Sequence, residues 1–356
     1  MSPPGADAAH RDHGFHTLRV ARVVTETPDA VSLVLDVPPE LKDTYEYAAG
    51  QFCTFRVVVD GATLLRCYSM SSAPGIDDAL AVTVKRVPDG QVSNWINDHV
   101  SNGDDVEVTP PAGVFCLGDE PTDLLLFAAG SGITPIFSLL KTALTTSDRR
   151  VRLLYANRDR ESTIFRTELE ALAATHGDRF VVIDHLDVDS GFVDAAVVAR
   201  TLADGDASGS TAYVCGPTPF MDIVEDTLLA AGLTSDRIHI ERFTPTEDPA
   251  PTAADGDDGA PAADGIELTI ELDGRTETTA HRAGTTILQT ARQLGMDPPY
   301  SCESGSCATC MGRLREGTVT MHTNDALTDE EVEEGWILTC QSVPTAPIVS
   351  VVYGYD

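Results

Sequence analysis

The alternation of apolar and polar positions divides the chain into three stretches. From about His16 to Glu120, short runs such as LRVARVV, AVSLVLDV, GQFCTFRVVV, LAVTVKRV and DDVEVTP alternate and are separated by turn residues. Period-two alternation predicts strands with one face in a core, and this many in succession predict an antiparallel β-barrel. At Asp123 the period changes. Leu124–Ala129 (LLLFAA) is continuously apolar, as suits a strand covered on both faces. A glycine turn and a helix over Pro135–Leu144 follow. Apolar runs at Val151–Ala156, Phe180–Asp184 and Ala212–Cys215 then alternate with helices near Thr167–Thr175 and Asp194–Leu202. That order predicts an α/β domain built on a parallel sheet. Thr244–Gly265 is dominated by Pro, Ala, Asp, Gly and Thr with no apolar periodicity, so it cannot bury a core and reads as a solvated linker. The expected organisation is an N-terminal arm (1–15), a barrel (16–120), an α/β domain (121–243), a linker (244–265) and a compact C-terminal domain (266–356).

Length and charge narrow the function. A chain of 356 residues is too long for one ordinary domain. Its formal charge of −32 argues against nucleic acid and anionic membrane surfaces as partners. From Pro245 onward there are 20 acidic residues against 5 arginines and no lysine, so nearly half of the excess lies in the C-terminal third. That acidity suits either docking on a basic partner or simple solubility. No long apolar run predicts a membrane span, and the first residues, MSPPGADAAHRDHGFH, do not resemble a secretory signal. His10, His13 and His16 fall in this arm and read as a bland tail rather than a metal site.

Four of the eight cysteines carry the strongest signal. Cys302, Cys307, Cys310 and Cys340 are spaced C-x4-C-x2-C and then a long gap, the spacing by which plant-type ferredoxins hold a [2Fe–2S] cluster. Two irons bridged by two sulfides need four thiolates, and the small residues of SCESGSCATC let the backbone wrap one side. A zinc site would favour two short C-x2-C knuckles, and only one is present. Cys53, Cys67, Cys116 and Cys215 are scattered among apolar neighbours as reduced thiols are, which points to the cytoplasm.

Three further motifs lie upstream. Arg66-Cys67-Tyr68-Ser69 ends a barrel strand; Arg66 and Tyr68 share one side, so a guanidinium can reach a phosphate while the phenol covers a flavin ring. Ser69 can hydrogen-bond near flavin N5. Gly130-Ser131-Gly132-Ile133-Thr134-Pro135 follows an apolar strand and opens a helix, the context of a phosphate-binding turn, although the third glycine of the usual dinucleotide fingerprint is missing. Cys215-Gly216-Pro217 ends a later strand of the same sheet, where ligands of such sheets lie. Each motif alone is also compatible with ordinary half-buried strand and turn residues.

Taken in this order, the motifs resemble the ferredoxin–NAD(P)H reductase superfamily, in the subgroup with a fused C-terminal plant-type ferredoxin. The ketosteroid 9α-hydroxylase and phenylacetyl-CoA epoxygenase reductases are of this type. RCYSMSSAPG, LLLFAAGSGITPI, LLYANRDRESTIF, YVCGPTPFM, HIERF and GWILTCQS carry the resemblance. It implies an antiparallel β-barrel flavin domain, an α/β nucleotide domain and an α+β, β-grasp ferredoxin domain. It further implies that Arg66, Tyr68 and Ser69 hold FAD and that Val84, Lys85, Gly90 and Ser93 hold its diphosphate. Thr134 should lie near the flavin ring, with Gly130, Gly132 and Pro135 near the pyridine nucleotide and Cys215, Gly216 and Pro217 beside the nicotinamide. Asn157 and Arg158 fall where the adenosine ribose is read.

The implied activity is an oxidoreductase that moves electrons from NADH, or NADPH, through FAD and the cluster to a terminal oxygenase of Rieske or di-iron type. No side chain is expected to act as acid or base, and the protein is expected to be a monomer. Asp159 and Glu161 favour a ribose diol, hence NADH, whereas Arg158 and Arg160 could pair with the extra phosphate of NADPH. Glu303-Ser304-Gly305-Ser306 in the cluster loop departs from the family pattern, which bears on partner choice because that loop rings the exposed edge of the cluster. Rival readings are a reductase for a cytochrome P450 and a redox sensor without turnover.

Overall fold

The structure is a computed structural model that describes residues 14–202, 209–243, 262–272, 274–296, 298–300, 303, 305, 308–324 and 326–353. The first 13 residues, including His10 and His13, lie outside the described residues, as do 244–261 of the expected linker and the ligand candidates Cys302 and Cys307.

The first six strands are β1 (His16–Thr27), β2 (Ala30–Asp36), β3 (Phe52–Val59), β4 (Ala62–Ser69), β5 (Leu80–Lys85) and β6 (Asp105–Val108). They pair antiparallel in the order β4-β3-β6-β1-β2-β5, and a bridge between Met70 and Val82 joins the two edges. This closure removes the exposed strand edges. Inward residues such as Leu18, Leu33, Phe55, Met70 and Val82 are fully buried. Helix α1 (Gln91–His99) contributes Val92 and Ile96 to the same core. His16 belongs to β1, with its Nδ1 3.3 Å from the Tyr45 hydroxyl, rather than to a tail.

The second unit holds β7 (Leu124–Ala129), β8 (Val151–Asn157), β9 (Phe180–Leu186), β10 (Thr211–Cys215) and β11 (Ile238–Glu241), all parallel in the order β11-β10-β7-β8-β9. Its helices are α2 (Ile133–Thr146), α3 (Arg166–His176), the single turn α4 (Asp187–Ser190), α5 (Ala195–Leu202) and α6 (Thr218–Ala230). Leu124, Leu126 and Ala128 pack with α2 and α3, whereas Leu125, Phe127 and Ala129 pack with α5 and α6. Covering on both faces is why β7 reads as a continuous apolar run. Asn157, the glycine turn and Cys215 all fall at the carboxyl ends of their strands.

The third unit comprises β12 (Ala262–Leu272), β13 (Arg275–Arg282), α7 (Ile287–Gln293), β14 (Met311–Glu316), β15 (Val319–Met321), α8 (Asp329–Glu333), β16 (Trp336–Leu338), β17 (Ser342–Pro344) and β18 (Ile348–Val352). A mixed sheet in the order β13-β12-β18-β14-β16 packs Leu268, Ile270, Val349 and Val351 against Ile287 and Ala291 of α7. Only β12 and β18 run parallel in it, and a helix packed across such a sheet is the β-grasp arrangement. Strand β12 begins at Ala262, inside the segment whose composition suggests a linker.

Candidate functional site

Of the residues singled out from sequence, Ser69, Lys85, Gly130, Gly132 and Cys215 come together where the barrel meets the parallel sheet. Strand β4 brings Arg66 and Tyr68 to one side of the barrel wall, and the Tyr68 ring meets Phe55 edge-on at 5.4 Å. Burial pushes the Tyr68 phenol well above its usual range, so it stays neutral. Ser69 is buried and donates from its hydroxyl to Glu241 Oε2 at 3.2 Å. Arg66 donates to the carbonyl of Leu65 at 2.8 Å.

Glycines shape the floor of the cleft. Gly130 takes φ +55°, a conformation that favours glycine, and its carbonyl accepts a bond from the Tyr155 hydroxyl at 3.3 Å. A side chain at Gly132 would start 2.1 Å from the Cys215 carbonyl oxygen, so the turn and the end of β10 touch backbone to backbone. At Gly216 a Cβ would meet that of Ala129 at 2.9 Å. Thr134 is buried and donates to the Ser131 carbonyl at 3.0 Å, and Pro135 is buried in the first turn of α2. Pro217 caps α6 at its N-terminus.

Two places carry features that suit a phosphate. The Lys85 amine is 3.9 Å from Asp29 and would lie 3.6 Å from a Cβ at Gly130, which sets a cation beside the glycine turn. Gly90 caps α1; a Cβ there would be 2.8 Å from Ser93 Oγ, so the cradle leaves no room for a side chain. Ser93 Oγ accepts from Val87 N at 3.1 Å, and the first turn of α1 carries no acidic residue. A diphosphate fits such a helix start. Val84 is turned into the barrel core, and its carbonyl accepts from Asn97.

Further along the sheet, Asn157 Oδ1 is buried without a hydrogen-bond partner, which leaves an acceptor for a ligand hydroxyl. Arg158 donates from Nε to Asp159 at 2.7 Å, and Asp159 also caps the turn at Ser162. These bonds, the guanidinium's first, hold the Asp159 carboxyl down at about 2.

Of the cluster ligands, Cys310 and Cys340 are described, and both are buried. The Cys310 carbonyl accepts from Thr339 N at 3.2 Å and from Thr339 Oγ1 at 2.7 Å, which ties the loop to the strand-end carrying Cys340. None of the described cysteines forms a disulfide. Two buried thiols of the soft-donor type in one cluster suit iron–sulfur ligation.

Sequence reasoning passed over Glu241. The segment HIERF entered only as one of the stretches that carry the resemblance; the partner that gives Glu241 its meaning is Ser69, 172 residues away. Its carboxyl is pushed up to about 8, first by burial, with the Ser69 hydrogen bond pulling the other way. Cys215, opposite Glu241 in the β10–β11 register, has its thiol raised by burial and then by the nearby carboxylate.

Comparison with known proteins finds the same three domains. Residues 17–116 match the oxidoreductase FAD-binding domain, 126–226 the oxidoreductase NAD-binding domain and 270–345 the 2Fe-2S iron-sulfur cluster binding domain. The chain is 42% identical over 340 residues to the ferredoxin reductase component of 3-ketosteroid-9-alpha-monooxygenase from Rhodococcus rhodochrous, covering 93% of this chain and 95% of the relative. It is 33% identical over 355 residues to a component of the 1,2-phenylacetyl-CoA epoxidase from Escherichia coli, covering 95% of this chain and 97% of the relative. Among solved structures, phthalate dioxygenase reductase superposes with a TM-score of 0.60 at 27% identity, over 96% of this chain and 98% of that one. No helix among the described residues is long and apolar enough to cross a membrane.

Proposed function

The chain belongs to the ferredoxin–NAD(P)H reductase superfamily, as a reductase component of oxygenase systems with FAD, NAD and [2Fe–2S] domains, and we propose that it supplies a ketosteroid-type terminal oxygenase with electrons from NADH. The observation that carries this reading is the convergence of Ser69, Lys85, Gly130, Gly132, Cys215 and Glu241 on one cleft between barrel and sheet. FAD supplies the conversion between a two-electron hydride and the single electrons that an iron–sulfur cluster accepts.

The residues do the positioning. Arg66 and the start of α1 at Gly90 and Ser93 would hold the flavin diphosphate, and Tyr68 and Ser69 would hold its ring. Gly130 and Gly132 would let a dinucleotide approach the backbone, and the end of β10 at Cys215-Gly216-Pro217 would receive its nicotinamide end. Holding the reacting atoms in this alignment is the main contribution of the protein to hydride transfer. Asn157 Oδ1 accepts from the adenosine ribose. Arg158 is already engaged by Asp159, which favours a ribose diol over a 2′-phosphate and hence NADH. Cys302, Cys307, Cys310 and Cys340 hold the cluster. The partner is an oxygenase of Rieske or di-iron type, and the protein acts as a cytoplasmic monomer.

Anaerobic titration with NADH and then NADPH, followed by visible absorbance and low-temperature electron paramagnetic resonance, tests the proposal. Bleaching of the flavin band and one reduced [2Fe–2S] signal per chain are expected, with NADH effective at the lower concentration. A protein that bleaches with neither coenzyme would overturn it. Oxygenase choice is tested by coupling to a purified ketosteroid oxygenase component, against a cytochrome P450 as the contrasting acceptor.

A further inference from the structure

Outward-facing residues of a barrel strand are ordinarily wet, and Thr54 is not. On β3, Cys53 and Phe55 point into the barrel core, so Thr54 lies on the opposite face. It is nevertheless only 2% exposed. Part of its cover comes from the far end of the chain: Thr309 Oγ1 lies 3.4 Å from Thr54 Oγ1 and 3.8 Å from the Sγ of Cys67. Cys67 is the register partner of Thr54 on β4, and their side chains are 3.3 Å apart. Two hydroxyls and a thiol therefore form one seat between the ferredoxin domain and the outer wall of the flavin barrel.

The neighbours of these residues give the seat its meaning. Thr309 directly precedes the cluster ligand Cys310, and Cys67 directly precedes Tyr68. We infer that the Thr54–Cys67–Thr309 contact is the junction at which an electron crosses from the flavin domain to the cluster, with Thr309 as the positioning residue. The inference rests on the flavin and cluster assignments made above. One electron is lost by the reduced flavin and gained by the oxidised cluster; no bond forms or breaks, and no proton has to cross. Covalent chain runs from Tyr68 to Cys67 and from Thr309 to the ligand Cys310, so on the path between Tyr68 and Cys310 the Cys67–Thr309 contact is the one through-space gap. Electron tunnelling weakens steeply across such gaps, so contact at this point governs the step.

The ferredoxin domain presents Thr309 on a supported loop. Ala308 takes φ +54°, and Met311 N donates back to the Ala308 carbonyl at 3.0 Å. Gln341 Nε2 holds the Glu303 carbonyl at 2.8 Å, and a side chain at Gly305 would meet the Thr323 carbonyl oxygen at 2.7 Å. Hydroxyls and a thiol leave no unpaired charge when they part, which suits a cluster that must also meet an external acceptor.

Three Thr309 variants of the full-length holoprotein test the junction, each checked for iron and sulfide content. Thr309→Cys, treated with a mild oxidant, should form a disulfide with Cys67 that peptide mapping detects. The linked protein should keep NADH-driven cluster reduction within about twofold of wild type. Thr309→Arg should leave flavin bleaching by NADH unchanged, slow cluster reduction at least tenfold in stopped flow and speed alkylation of Cys67. Thr309→Ser, which retains the hydroxyl, should restore both readings. No disulfide in Thr309→Cys, a linked protein whose cluster NADH cannot reduce, or normal cluster reduction in a fully loaded Thr309→Arg would each overturn the inference. Loss of flavin bleaching in the unmodified protein would instead overturn the functional reading beneath it.

Discussion

The barrel makes two joins, and they are built differently. Towards the parallel sheet the join is continuous core: Ala30, Ala49 and Phe115 belong to the same buried cluster as Ile133, Leu139 and Tyr213. Polar bonds pin its rim, from Ser138 Oγ to the Ser72 carbonyl at 2.6 Å and from Lys141 to Asp77. Towards the ferredoxin domain, the described contact is the small polar seat at Thr54, Cys67 and Thr309. The difference follows from what each join must transmit. Hydride transfer needs two reacting atoms aligned within a contact distance, so its domains are held as one body. A single electron needs only proximity, so a light contact serves.

The largest expected effect comes from disconnecting the second join at its far end. Cys340→Ser removes a buried thiolate ligand, and the four-thiolate cage cannot then close. Iron content and the reduced-cluster signal should be lost. Transfer to a cluster-dependent acceptor should fall by at least a hundredfold, while NADH still bleaches the flavin at the wild-type rate. Parallel loss of bleaching would mean that the two joins are not independent.

Next in size is damage to the first join. In Gly132→Ala the new Cβ would start 2.1 Å from the Cys215 carbonyl, and backbone must shift to admit it. A cost of about 1–3 kcal/mol is typical of such overpacking. The melting temperature should drop, and half-saturation for NADH should rise if the displaced turn carries the nucleotide as proposed. An unchanged KM would separate the glycine turn from coenzyme binding. Asp77→Asn is milder. It strips the carboxylate from a half-buried Lys141, whose ammonium also lies 4.4 Å above the Phe137 ring. About 1–2 kcal/mol should be lost, seen as a lower melting temperature with cluster reduction unaltered.

The two joins also differ in how visibly the sequence announces them. The glycine turn, the CGP strand end and the C-x4-C-x2-C loop are local patterns, each a few residues long, and backbone sterics or metal geometry requires them. Fold class was legible for the same reason: β7 is apolar throughout because helices cover both its faces, and the barrel strands alternate because one face is wet. Glu241 was not legible. Its four-residue strand gives no hint that Ser69 will donate to it, since that pairing exists only after the barrel and sheet dock. Thr309 was legible only as a small residue of the cluster loop. Its seat on Thr54 spans 255 positions, and long-range contacts of small polar side chains leave no periodic trace.

The last expected effect is confined to one side of the pH range and sharpens the first join from within. Glu241 ends β11 beside the cleft with its carboxyl pushed up to about 8, chiefly by burial. A carboxyl raised above its ordinary value of 4.5 binds its proton more tightly in the folded protein than in the unfolded chain. Below that value both states are protonated and the group is neutral to stability. As pH rises from 4.5 towards 8 the unfolded chain ionises while the folded state keeps its proton, so stability falls, and above 8 both are ionised and the penalty is complete. Glu241→Gln keeps an acceptor for the Ser69 hydroxyl and cannot ionise. Its melting temperature should match wild type near pH 4.5, draw ahead by a few degrees as pH approaches 8, and hold that lead above it. A constant offset at every pH would show that the carboxyl titrates alike in the folded and unfolded states, and that the docked barrel and sheet leave it more water than its neighbours suggest.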